Sequence, residues 1–318
     1  MQFADFSEIC FVKPKSINMK KQLMIAVLAF SFGIAGAQNL TSKKGEVILP
    51  EQGDWSLGVD ATPFLDYVGN FLSSNGNSAP TQDFLNANQT IIGKYFKTDK
   101  MAYRGILRIG LNTTNMNSNI AQFGAAAPTY PALPLLVEDT YTERRTFVGL
   151  GGGLEWRRGN TRLQGYYGGD VLISFSNSGR EFTYGNALND STSVTALTTN
   201  FETDTEDSYN IGNDTYGNTA RFNSVKDGSV FGLTLRGFAG VEYFIFPKIS
   251  LAGEFGWGVT FASMGASSRD LESVGNNGTN DVVGTQTIES TKGSRFSLDT
   301  DRNLTGTATG VLRLNFHF

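Results

Sequence analysis

Apolar and polar residues alternate with a two-residue period in several separate stretches of this chain, which is the pattern of strands with two unlike faces. The last stretch shows it most clearly. From Gly306 onward every second residue is small or apolar (Gly306, Ala308, Gly310, Leu312, Leu314, Phe316, Phe318), while Thr307, Thr309, Val311, Arg313, Asn315 and His317 fall between them. Near the other end, Trp55 to Pro63 sets Trp55, Leu57, Val59 and Ala61 against Ser56, Gly58, Asp60 and Thr62. Thr90 to Lys97 reads as a second strand, and Met101 to Asn112 as a third, with Tyr103, Leu107, Ile109 and Leu111 opposite Arg104 and Arg108. Arg145 to Arg157, Thr161 to Ser176, Val230 to Phe246 and Ile249 to Ala262 repeat the pattern, and Thr305 to Phe318 completes a set of eight.

The connections alternate in length. Lys97 to Lys100, Arg158 to Asn160 and Pro247-Lys248 are short polar turns. Between them lie long polar stretches, about residues 69–88, 113–142, 177–228 and 263–303. The second of these holds Pro128, Pro131 and Pro134, which a central strand does not tolerate. Short turns at one rim and long loops at the other describe an all-β chain: an eight-stranded antiparallel up-and-down β-barrel.

Upstream, one continuous apolar run, Leu23 to Ala37, follows Lys20 and Lys21 and ends in Ala35-Gly36-Ala37. That is the layout of a secretory signal peptide, residues 19–37, cleaved before Gln38. Residues 1–18 then read as an upstream extension with translation starting at Met19, and 38–318 as the barrel. Four of the 26 basic and two of the 30 acidic residues lie in 1–37, leaving 22 against 28. Such an acidic chain is not expected to bind nucleic acid. Its single cysteine, Cys10, is upstream of the cleavage point.

An alternating final strand ending on Phe318, with Phe316 on the same face, resembles the C-terminal assembly signal of bacterial outer-membrane β-barrels. The mature chain resembles the small OmpA/OmpX/OmpW-type barrels, and its Ala-Gln signal junction resembles those of Bacteroidota. The resemblance implies residence in the outer membrane of a Gram-negative bacterium, contact with outer-membrane lipid, and recognition of the last strand by the barrel-assembly machinery. A soluble lipocalin-like barrel has the same period with its apolar face inward. Large apolar positions, aromatics placed near strand ends (Trp55, Tyr95, Trp156, Tyr243, Trp257, Phe318) and charges confined to one parity favour the transmembrane arrangement.

The inward set would then comprise Asp60, Lys94, Arg104, Arg108, Glu155, Arg157, Arg162, Asp170, Arg236, Glu242, Glu254 and Arg313. An eight-stranded ring is just wide enough for side chains to fill. These charges are therefore expected to form a mixed ion-pair network that plugs the lumen or gates a narrow path, with glycines such as Gly149, Gly151, Gly153 and Gly168 leaving room for the arginines. No cofactor or metal is expected, because His317 is the sole histidine and no second member of a catalytic triad is apparent beside it. Asp204, Glu206, Asp207, Asn210 and Asp214 depart from a calcium loop, having Tyr209 where its glycine belongs, and read as a solvated acidic loop. The expected function is non-enzymatic: surface contact, adhesion or envelope integrity through the long loops and an extracellular ligand. The alternative is a narrow porin-like path for small or hydrophobic solutes.

Overall fold

A computed structural model describes residues 40–72, 90–202, 209–299 and 311–318. The upstream extension, the signal peptide and the start of the terminal stretch lie outside the described residues, as do Asp204, Glu206 and Asp207. Among the described residues the chain is all-β apart from one helix and a short 3-10 turn. Its strands are β1 (Trp55–Asp60), β2 (Ile91–Thr98), β3 (Met101–Ala121), β4 (Leu136–Arg158), β5 (Leu163–Thr183), β6 (Ile211–Asn213), β7 (Thr219–Phe246), β8 (Ile249–Met264), β9 (Ser268–Asn276), β10 (Asp281–Glu289), β11 (Gly293–Asp299) and β12 (Val311–His317). Every pairing between strands is antiparallel.

Eight of the 12 strands close a ring in the order β1, β2, β3, β4, β5, β7, β8, β12. These are the eight stretches that alternate in the sequence. The ring shuts where β12 meets β1, with Ser56 opposite His317 and Asp60 opposite Arg313. Beyond β12, Phe318 exchanges two backbone hydrogen bonds with Trp55, at 2.8 and 2.9 Å. At the β7–β8 turn Lys248 takes a positive φ of 59°, uncommon for a side chain of this size. Its N–H donates to Ile48, its carbonyl accepts from His317, and its Nζ pairs with Asp54, so the lead segment 40–54 is fastened beneath the short-turn end.

The long connections are not loops throughout, which corrects the sequence reading. β3 runs on to Ala121 and β4 begins at Leu136, so residues 113–121 and 136–142 are paired strand and only the stretch with the three prolines is open. β5, β6 and β7 take up the two ends of 177–228, and β9, β10 and β11 much of 263–303. These segments carry Asn, Thr and Ser on both faces, so the period-two signal is lost although the ladder continues. A register shift between Ser176 and Ser178 marks where β7 leaves β8 and takes β9 as its neighbour.

The first strand is also shorter than the alternation suggests. It ends at Asp60, and α1 (Thr62–Leu72) follows, its first N–H bonded to Asp60 Oδ1 at 2.8 Å. Pro63 fits a first helical turn, where its missing N–H costs nothing. Phe64, Leu65, Tyr67 and Val68 on this helix remain exposed. β2 pairs with β3 only as far as Leu107, and beyond it that edge of β3 has no strand partner among the described residues.

Above the ring a second core forms from Tyr141, Phe182, Phe201 and Val225, with Tyr184, Tyr209 and Phe222 packed on it. Tyr141 and Tyr209 stack with ring centroids 5.2 Å apart. Asp139, fully buried, accepts from the backbone N–H of Gly185 at 2.9 Å and of Thr199 at 2.7 Å, tying the 184–202 segment down. This annex stands at the long-loop end.

Candidate functional site: ion pairs inside the ring

The strand alternation places charge inside and hydrocarbon outside. Lys94, Arg104, Arg108, Glu155, Arg157, Asp170, Arg236, Glu242, Glu254 and Arg313 are each 0–4% exposed. Their outward neighbours Leu107, Ile109, Leu111, Leu150, Val171, Ile173, Phe231, Leu233, Leu235 and Phe261 are 37–71% exposed. A buried ion left without a partner costs several kcal/mol, so geometry has to compensate.

It does so through shared carboxylates. Glu254 on β8 lies 2.9 Å from Arg104, 2.9 Å from Arg236 and 2.8 Å from Arg313. Asp170 bridges Arg236 at 3.0 Å and Arg104 at 3.4 Å. Glu155 takes Lys94 at 2.9 Å, Arg157 at 3.0 Å and Arg104 at 3.2 Å. Glu242 pairs with Arg157 and accepts from Asn315 at 2.7 Å and from Ser250. Inward aromatic rings cover the guanidinium faces: Phe238 lies 3.8 Å from Arg104, and Phe147 3.9 Å from Arg108. Beside Arg108 is a cavity of about 20 Å³, bordered by Thr90, Phe147, Ser174 and Thr234, with room for about one water.

Two residues of the inferred inward set are only half-buried. Arg162 is half-buried and its Nη1 donates to the carbonyls of Phe244 and Ile245 at 3.3 and 3.2 Å, so it fastens the rim instead of joining the network. Asp60 is half-buried and caps α1. Of the glycines named, Gly149 does lie against Arg108, where a Cβ would be 3.6 Å from the arginine Cβ, but Gly153 departs from the expectation. A Cβ at Gly153 would sit 2.1 Å from Asp170 Oδ1, so this position makes room for a carboxylate and not for an arginine. Trp257 falls in the middle of β8, away from the aromatic strand ends, whereas Trp55 and Tyr95 meet at the short-turn end with centroids 5.0 Å apart.

His317 has neighbours that the sequence did not disclose. Its Nε2 lies 3.2 Å from Ser250 Oγ and 3.2 Å from Glu242 Oε1, bringing serine, histidine and acid together from three strands. The arrangement is not that of a relay. Both partners face the same nitrogen, whereas a triad sets acid and hydroxyl on opposite nitrogens. Nδ1 has no hydrogen-bond partner among the described residues, and Ser250 is fully buried. Phe96 and Phe244 pack on the imidazole with centroids at 5.6 and 5.3 Å. Ser250, Asn315, His317 and these rings were invisible as site members because a neutral inward residue gives no signal beyond its parity.

In the annex, Arg221 joins Glu272 at 2.7 Å and covers the Tyr184 ring at 4.2 Å. Burial pushes the Tyr184 phenol up, while burial and then the Glu143 charge bring Tyr141 up to about 12. Asp214 is not a solvated acid. Partial desolvation raises its pKa, but hydrogen bonds from Asn218, Ser273 and the backbone of Tyr216 outweigh that and hold it down to about 2. Among the described residues no group of three or more His, Cys, Asp and Glu is arranged to hold a metal ion. No protein-family model, curated protein or solved structure matches the chain.

Proposed function

We propose that this chain is an integral outer-membrane protein of a Gram-negative bacterium. Its eight-stranded ring is a transmembrane β-barrel, its lumen is plugged by the ion-pair network, and its annex faces the medium as a surface for contact, adhesion or envelope integrity. The observation that carries the reading is the inversion of burial. Ten ionisable side chains point into the ring while its outside is a belt of Leu, Ile, Val and Phe. In water such an apolar surface is far larger than monomers tolerate, whereas hydrocarbon solvates it. A lipocalin-like barrel in water would need the opposite parity. The short turns then lie in the periplasm and the annex outside. Phe316 and Phe318 present the last strand to the assembly machinery, and the role is non-enzymatic.

A second reading is favoured by one specific observation. The ten buried ions comprise six cations and four carboxylates, so the interior carries excess positive charge suited to a narrow path for small anionic solutes. Protein refolded in detergent tests both readings: gel mobility with and without heating, then planar-bilayer conductance on the same sample. A heat-modifiable shift without steady conductance supports the plugged barrel. A shift with reproducible conductance supports the path. Absence of a shift overturns both.

A further inference from the structure

We infer that the tip of the annex carries a binding cleft for a neutral oligosaccharide. The inference rests on the reading above only for which side of the membrane the cleft faces. The cleft, about 410 Å³, lies between the β6–β7 turn and the β9–β10 hairpin, within the roughly 300–1,000 Å³ of small-ligand sites.

Its walls are locked by their own side chains. Asp214 accepts four hydrogen bonds: from the N–H groups of Tyr216 and Asn218, from Asn218 Nδ2 and from Ser273 Oγ, all at 2.8–2.9 Å. Gln286 Oε1 accepts from Thr215 N–H at 3.2 Å and Thr215 Oγ1 at 2.9 Å, which ties the turn to β10. Asn277 Oδ1 accepts from the N–H groups of Thr279 and Asn280, both at 2.9 Å. A loop tip bound this firmly loses little entropy when a ligand arrives, and such preorganisation favours affinity.

The groups left over match sugar chemistry. Each amide is held by one end, which leaves the NH2 groups of Gln286 and Asn277 and the carbonyl oxygen of Asn218 without a hydrogen-bond partner among the described residues. Hydroxyls can accept from the first two and donate to the third. The Tyr216 ring, 83% exposed on a turn fixed by Gly217 at φ +89°, offers the flat apolar face on which a pyranose C–H face packs. Gly284 leaves the floor open, since a Cβ there would meet nothing within 4 Å. No Lys or Arg lines the cleft, and the one carboxylate is saturated by internal donors. These features disfavour sulfated or phosphorylated ligands and select neutral ones.

The test uses the full mature chain folded in detergent, titrated calorimetrically with maltotriose, cellotriose, mannotriose and triacetylchitotriose, and with a heparin oligosaccharide as the anionic comparison. Saturable binding of at least one neutral sugar is expected. Tyr216→Ala and Gln286→Ala should each weaken it about tenfold, the scale of one stacking or hydrogen-bonding interaction. Tyr216→Phe, which keeps the ring, should retain binding. Tyr130→Ala, at an exposed tyrosine outside the cleft, should not change it. A heat-modifiable gel shift establishes that the ring of each variant is folded, and parental resistance of the annex to chymotrypsin establishes that the annex is. No saturable neutral-sugar binding, binding of heparin alone, or binding indifferent to Tyr216→Ala overturns the inference. Separately, Thr279→Cys is labelled on intact cells with a membrane-impermeant maleimide. Binding without labelling keeps the cleft and sinks the outward orientation, while labelling without binding does the reverse.

Discussion

Arg104 on β3 and Glu254 on β8, 150 residues apart, meet through two hydrogen bonds at 2.9 and 3.2 Å across the inside of the ring. Glu254 is also 2.9 Å from Arg236 and 2.8 Å from Arg313, so one carboxylate answers three guanidinium groups. Removing its charge leaves those three cations buried with Asp170 and Glu155 as the remaining nearby acids. Glu254→Gln is therefore expected to destabilise the folded ring by about 3–5 kcal/mol, the cost of breaking a buried pair from one side. Urea-induced unfolding in detergent micelles measures it. A loss below about 1 kcal/mol, the scale of surface ion pairs, would show that the network contributes little.

Taking out both Arg104 and Arg236 has a different expected outcome. Glu254 and Asp170 lose most of their partners, and the volume of two long side chains is vacated beside Phe238. If the ring is plugged, an Arg104→Ala/Arg236→Ala protein should show fluctuating conductance in a planar bilayer and the parent none. Silence from the double variant would mean that the plug is made elsewhere, with the aromatics at the short-turn end the next group to remove.

The annex should loosen without the ring. In Asp139→Ala the N–H groups of Gly185 and Thr199 lose a buried acceptor, at about 1–3 kcal/mol each. Chymotrypsin should then cut within 184–202 while the heat-modifiable shift stays unchanged. Loss of both together would mean that annex and ring fold as one unit.

Acid should act on the cleft at Asp214. The folded pKa is about 2 and an unfolded aspartate titrates near 3.9, so the ionised form is stabilised by folding. That contribution is fully present above about pH 4 and disappears as pH falls through about 2. Fluorotyrosine NMR of Tyr216 should show the turn becoming mobile in that window. Asp214→Asn, with nothing to titrate, should remove the pH dependence, and an unchanged profile would place the transition on another group.

Deleting the final residue tests assembly. Phe318 exchanges two backbone hydrogen bonds with Trp55 at the seam. Without it the amount of protein recovered from the outer membrane should fall severalfold, with a periplasmic pool appearing. Wild-type recovery would remove the assembly role assigned to Phe316 and Phe318.

How far the sequence could be read depends on whether two faces of a strand differ chemically. Where they do, as at Leu107/Arg108 or Leu235/Arg236, alternation alone places the strand and separates the inward residue from the outward one. Where both faces are polar, as at Asn112 to Asn115 or Ser176 to Arg180, the ladder runs on unseen and the stretch reads as loop. α1 was hidden for a related reason: the alternation of β1 passes smoothly into Thr62 and Pro63, and only the backbone shows the change of state.

The sequence by itself determined the two-faced strands and which charges share a parity, because period two is a local property of an extended chain. Only the tertiary structure decided which acid answers which base, that Arg162 is a rim tie, that His317 lies against Ser250 and Glu242, and that Asp214 is an internal acceptor instead of a solvated charge. Those relations depend on register between strands far apart in the chain, as the 150 residues between Arg104 and Glu254 illustrate. Register is set by closing the whole ring, so no window of sequence contains it.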